Sequence, residues 1–108
     1  MDLEKIRQLV RAGQYEFSIH AQQERLEDDL DVADIEAAIL AGEIIEEYPK
    51  DPRGPSCLIL GYTSMRPVHI VVGWAGKEAE NEYIPRVITV YIPQPPKWRD
   101  PRTRGEQP

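Results

Sequence analysis

Read from the N-terminus, apolar residues first recur at helical spacing. Leu3, Ile6, Leu9 and Val10 of LEKIRQLVRAG share one helix face, and Gly13 follows them as a natural end residue. A second helix is expected from about Ile19 to Glu27, because the Ser18 hydroxyl can accept from the free amides of a first turn. His20 falls in that turn. Asp31 caps a third helix with Asp34 at its third position, near the positive end of the dipole. Ile35, Ala38 and Ile39 form its apolar stripe, and Gly42 ends it.

From Glu43 the period changes to that of strands. EIIEEY reads as a first strand, and KDPRGP then supplies a turn whose prolines cannot continue a ladder. SCLILGY follows as a second strand, VHIVVGW as a third after TSMRP, and PRVITVYI as a fourth after the polar hairpin GKEAENEY. The short connections suit antiparallel pairing. The pattern therefore predicts a single α+β domain over residues 1–98, with N-terminal helices packed on one face of a four-stranded, mainly antiparallel curved sheet. Beyond Trp98 the proline- and arginine-rich end reads as a short hook at most, and residues 99–108 as a flexible basic tail.

Alternation then sorts side chains by face. Val68, Ile70, Val72 and Trp74 form one row, and Ile88, Val90 and Ile92 another, both placed beneath the helices. The opposite rows are His69, Val71 and Gly73, and Val87, Thr89 and Tyr91. His69, Thr89 and Tyr91 are thus expected together on an open face where a ligand could lie.

Composition narrows the function. The 108 residues are 41% apolar and carry a net charge of −6, with no apolar run long enough to span a bilayer. The opening MDLEKIRQLV lacks the basic and apolar regions of a secretory signal, so a soluble cytoplasmic protein without a membrane partner is expected. The charge is uneven. Residues 1–49 hold 4 Lys and Arg against 13 Asp and Glu, whereas residues 50–108 hold 9 against 6. An acidic half repels RNA and suits a basic protein segment; it is equally the composition of a solvated helix face.

The single Cys57, within SCLIL, reads as a buried strand thiol. No His-x-x-x-His or Cys-x-x-Cys spacing is present, and neither a glycine-rich phosphate loop nor a Gly-x-Ser-x-Gly elbow, so no metal or cofactor is expected. RNA cleavage without a metal needs a base for the 2′-hydroxyl, an acid for the leaving oxygen and donors for the phosphorane. His69 fits base or acid, Tyr91 a proton donor or phosphate ligand, Thr89 an orienting donor, and Arg66 or Arg86 a cation. The alternative is that His69 and Tyr91 simply fill a half-exposed sheet face. His20 is either a third member of that site or a structural histidine bonded to Glu24 or to backbone. Trp98 is either a platform for a base or the packed end of the chain.

The ordered set SIHA, GEIIEEYPKDPRGPSCLILGY, VHIVVGW and VITVYIPQPPKW resembles the bacterial domain of unknown function 4258 family over roughly residues 16–98. The resemblance implies the small helix-plus-sheet fold of RelE-like toxins, the ribonucleases of toxin–antitoxin modules. RNA or the ribosome would then be the target and an antitoxin-like protein the partner. The family's polar positions fall here on His20, His69, Thr89 and Tyr91. One departure stands out. Relatives carry a basic residue one turn after the first histidine, where this chain has Glu24, with Arg25 one step further and about 100° around the helix. That weakens Arg25 as a phosphate clamp. Two functions are therefore expected to compete: a toxin-like, metal-independent endoribonuclease, and a non-catalytic module whose acidic half docks a basic partner.

Overall fold

The computed structural model describes residues 1–77 and 82–105. Three helices, α1 (Leu3–Arg11), α2 (Ile19–Glu27) and α3 (Val32–Ala41), accompany strands β1 (Glu16–Phe17), β2 (Glu43–Tyr48), β3 (Ser56–Thr63), β4 (Arg66–Lys77) and β5 (Glu82–Tyr91). Residues 78–81 of the expected GKEAENEY hairpin lie outside the described residues. The α+β class holds. The sheet has five strands, ordered β1-β5-β4-β3-β2, and it is mixed because β1 runs parallel to β5. The extra strand is two residues long, too short to leave a periodic signal.

The helix ends follow from their caps. Asp2 accepts from Lys5 N–H at 3.1 Å, Ser18 Oγ from Ala21 N–H at 3.0 Å, and Asp34 from Asp31 N–H at 3.1 Å, each satisfying an amide the first turn leaves free. Helices α1 and α3 lie on one side of the sheet. Ile6, Val10, Ile35, Ala38 and Ile39 pack there on Cys57, Ile59, Val68, Ile70, Val72, Val87 and Val90. Gly61 permits the close approach, since a Cβ at that position would meet the Ala38 carbonyl oxygen and Cβ. Cys57 is fully buried and burial pushes its thiol up to about 11, so it stays protonated and inert.

Helix α2 takes a different place, along the edge of β5. Ser18 N–H donates to Val87 O at 2.9 Å, Ser18 Oγ to Ile88 O at 2.8 Å, and Val90 N–H to Glu24 Oε1 at 3.1 Å. The helix thereby supplies the partners that a further strand would have given the edge.

The faces of β4 are as the alternation predicts, but those of β5 are not. Val72 pairs with Val87 while Val71 pairs with Thr89, so Ile88 is a bulge and the alternation reverses there. Val87, expected on the open face, is in the core at 1% exposure. Ile88, expected in the core, stands beside Gly73 on the opposite face.

That opposite face is not open. Residues 94–105, of which 99–105 were assigned to a flexible tail by composition, fold back across it. Trp98 bridges to Arg104, Arg99 N–H donates to Thr103 O at 2.9 Å, and Gly105 N–H donates to Lys97 O at 2.8 Å. Two arginines latch the hook to β2. Arg104 donates to the Glu46 carboxylate at 2.7 and 3.0 Å and lies 4.4 Å above the Trp98 ring, and Arg102 pairs with Glu43. Trp98 is left 2% exposed, and burying a large aromatic contributes about 3 kcal/mol at most. Composition misled because the hook has few apolar residues; one tryptophan, two ion pairs and the bond between His69 and the Pro101 carbonyl hold it.

Candidate active site

The first turn of α2 carries His20 outward, its side chain 68% exposed. One turn later Glu24 points to the same side, and its Oε1 lies 3.2 Å from His20 Nε2. The same carboxylate accepts from the Thr89 hydroxyl and from Val90 N–H. Glu24 is therefore fixed by β5 and in turn holds the imidazole. With Nε2 directed at a carboxylate, Nδ1 remains available to a substrate.

Glu24 also lines a surface cleft of about 390 Å³ with Tyr91, Ile92, Gln94, Pro95, Lys97 and Trp98. Lys97 Nζ sits 5.8 Å from the centre of the Tyr91 ring. The cleft thus has in its wall the carboxylate that holds the His20 imidazole, together with a phenol and an ammonium above the phenol ring. The hook supplies Gln94 and Lys97, neither of which sequence reasoning selected. Glu24 was visible as the i+4 neighbour of His20, but its bonds to β5 span more than sixty residues.

His69 and Tyr91 share a face, as the alternation predicts; they are also cross-strand partners, and their ring centres are 5.2 Å apart. The environment of His69 differs from expectation. It is fully buried, with Nε2 2.6 Å from Pro101 O, Nδ1 3.2 Å from the Tyr91 hydroxyl and Trp98 edge-on at 4.3 Å. A carbonyl can only accept, so Nε2 carries the proton and Nδ1 accepts from Tyr91. Neither nitrogen is free for a substrate. Burial pushes the imidazole below its ordinary value and outweighs the opposing pull of the Pro101 carbonyl. Tyr91 is shifted up by burial and stays a neutral phenol. The Trp98 indole N–H opposes that shift but makes no hydrogen bond of ordinary geometry.

The remaining expected residues disperse. Arg25 turns inward, donating to Gln22 Oε1 at 2.6 Å and to Leu30 O at 3.2 Å, where it ties the α2–α3 turn. Arg66 is exposed beside the β3–β4 turn and lines none of the clefts described here. Arg86 pairs with Glu16 at 2.6 Å and lines a separate cavity further along β5. Trp98 is too deeply buried to stack on a base. The structure therefore joins His20, Thr89 and Tyr91 around Glu24, seals His69 behind them and leaves the three arginines elsewhere. Among the described residues no three His, Cys, Asp or Glu side chains converge as a metal site needs, and no helix is long and apolar enough to cross a membrane.

A family model described as "Domain of unknown function (DUF4258)" matches residues 17–92. No curated protein and no solved structure matches the chain.

Proposed function

The chain belongs to the domain of unknown function 4258 family, and we propose that it is a toxin-like endoribonuclease that needs no metal. The observation that carries this reading is that Glu24, which lines the cleft with Tyr91 and Lys97, also holds the exposed His20 imidazole. His20 Nδ1 takes the proton of a ribose 2′-hydroxyl as that oxygen attacks the adjacent phosphorus. Lys97 neutralises the phosphorane and gives a proton to the departing 5′-oxygen. The products are a 2′,3′-cyclic phosphate and a free 5′-hydroxyl. The imidazolium returns its proton through water to Lys97, which closes the cycle. Glu24 stabilises the imidazolium, and Thr89 positions Glu24.

The test is cleavage of single-stranded RNA by the purified protein in the presence of a chelator, with end mapping of the products. Wild type is expected to generate 5′-hydroxyl ends, and His20→Ala to lose at least about a hundredfold in rate. Equal, harmless behaviour of the two proteins on induction in bacteria, with no new RNA ends, would overturn the reading. The protein-binding alternative would then stand. Ile19 and Leu26, 81% and 66% exposed on α2, favour it.

A further inference from the structure

A second cavity opens on the same side of the sheet as the cleft, near the other end of β5. It holds about 150 Å³ and is lined by Ser18, Arg53, Gly54, Pro55, Gly73, Trp74, Arg86 and Ile88. Gly73 and Tyr91 both belong to the face turned away from α1 and α3, so an extended strand lying along β5 meets both openings. Two guanidiniums reach this cavity from separate elements, Arg86 from β5 and Arg53 from the β2–β3 loop. Each is anchored through part of its donor fork. Arg86 uses Nε and Nη2 on Glu16, both at 2.6 Å, and Arg53 uses Nε and Nη2 on Asp51 at 3.3 and 3.4 Å. A guanidinium has five N–H donors, so both keep donors for an anion. Pro55 and Ile88 add an apolar wall suited to a sugar or base.

We infer that this cavity is a second phosphate subsite for single-stranded RNA, remote from the bond that is cut. The inference rests on the ribonuclease reading and adds a substrate footprint to it. From Arg86 to Tyr91 is five residues of strand, roughly 16 Å, which is the length of a few nucleotides. The bulge at Ile88 brings that side chain into the cavity wall, because it turns it out of the core and against Gly73. Arg86 is then a binding residue, at a place that separates it from the reacting phosphate. Its pairing with Glu16 sets its position and holds its affinity in check.

The test uses fluorescent 2′-O-methyl oligonucleotides, which lack the attacking hydroxyl and cannot be cleaved. Wild type is expected to bind a hexanucleotide at least about tenfold more tightly than a dinucleotide, because only the longer strand reaches both openings. Arg53→Ala with Arg86→Ala removes that difference and lowers the salt slope of hexanucleotide binding by about 0.7, the value for one phosphate. Dinucleotide binding stays unchanged. Glu16→Gln, which frees the Arg86 fork, tightens hexanucleotide binding at least about twofold, a gain no loss of folding could mimic. If wild type binds and cuts RNA while the arginine variant binds the hexanucleotide equally well, the subsite is overturned and the ribonuclease reading survives. Wild type that binds neither length overturns both.

Discussion

The Tyr91 hydroxyl donates to His69 Nδ1 across 3.2 Å, because the Pro101 carbonyl has already claimed the proton on Nε2. The histidine expected to do chemistry thus joins the sheet to the hook. Tyr91→Phe leaves a buried ring nitrogen without a donor. The expected loss is about 1–3 kcal/mol of folding stability, read as a lower urea midpoint at unchanged slope. Cleavage should fall by no more than a few fold, since the aromatic wall of the cleft is retained. A loss of activity as large as that of His20→Ala would return Tyr91 to the chemistry.

Protonation of His69 gives a second outcome with a definite sign. Its folded pKa lies below the ordinary 6.5, so the unfolded chain binds more protons between the two values. Stability is full above 6.5 and falls as pH drops through the folded pKa. Urea midpoints measured from about pH 7.5 to pH 5 should decline in wild type and flatten in His69→Gln. Glu46 does not contribute in that window. Arg104 holds its carboxyl below its own ordinary value of 4.5, so it titrates at lower pH.

Arg104 joins the hook to β2 through Glu46 and to Trp98 through its ring face. Both partners of the ion pair are partly exposed, so Arg104→Ala is expected to cost only about 1–2 kcal/mol. The local effect should be larger. Amide exchange at Arg99 and Gly105, both bonded within the hook, should accelerate well beyond the change in the core strands. Uniform acceleration across the sheet would show that the hook has no independent opening.

The turn between β3 and β4 carries strain that can be relieved. Ser64 and Met65 both adopt positive φ, 47° and 66°, as a two-residue turn between twisted strands requires, and neither is glycine or asparagine. Met65 is 94% exposed and loses no packing on truncation. Met65→Gly should therefore stabilise the protein by about 0.5–1 kcal/mol, seen as a higher thermal midpoint. Met65→Ala, which keeps a Cβ at positive φ, should not.

Caps at Ser18 and Asp31, the helix stripes and the four longer strands are local patterns of chemistry and spacing, and they were legible. The shared face of His69 and Tyr91 followed from alternation on β4 and from the part of β5 beyond its bulge, although their register did not. The bulge itself left no local mark, so Val87 and Ile88 exchanged faces. The hook was misread because its order comes from partners far away in sequence: Glu43, Glu46 and His69. The same holds for Glu24, whose role appears only when α2 lies along β5.

Glu24 gives the sharpest test of the cleft, because its two functions can be separated. A glutamine at this position retains an oxygen that can accept from Thr89 and Val90 but removes the charge that stabilises an imidazolium on His20. Glu24→Gln should keep the thermal midpoint close to wild type and leave KM unchanged, while kcat falls about 10–100-fold. Glu24→Ala removes the acceptor as well, exposing the edge of β5 and costing about 1–3 kcal/mol of stability in addition to the kinetic loss. A structural role alone predicts that kcat follows stability through both variants. Loss of kcat in Glu24→Gln at wild-type stability is the pattern that a positioning carboxylate produces, because transition-state charge depends on the carboxylate and the fold depends only on its oxygen.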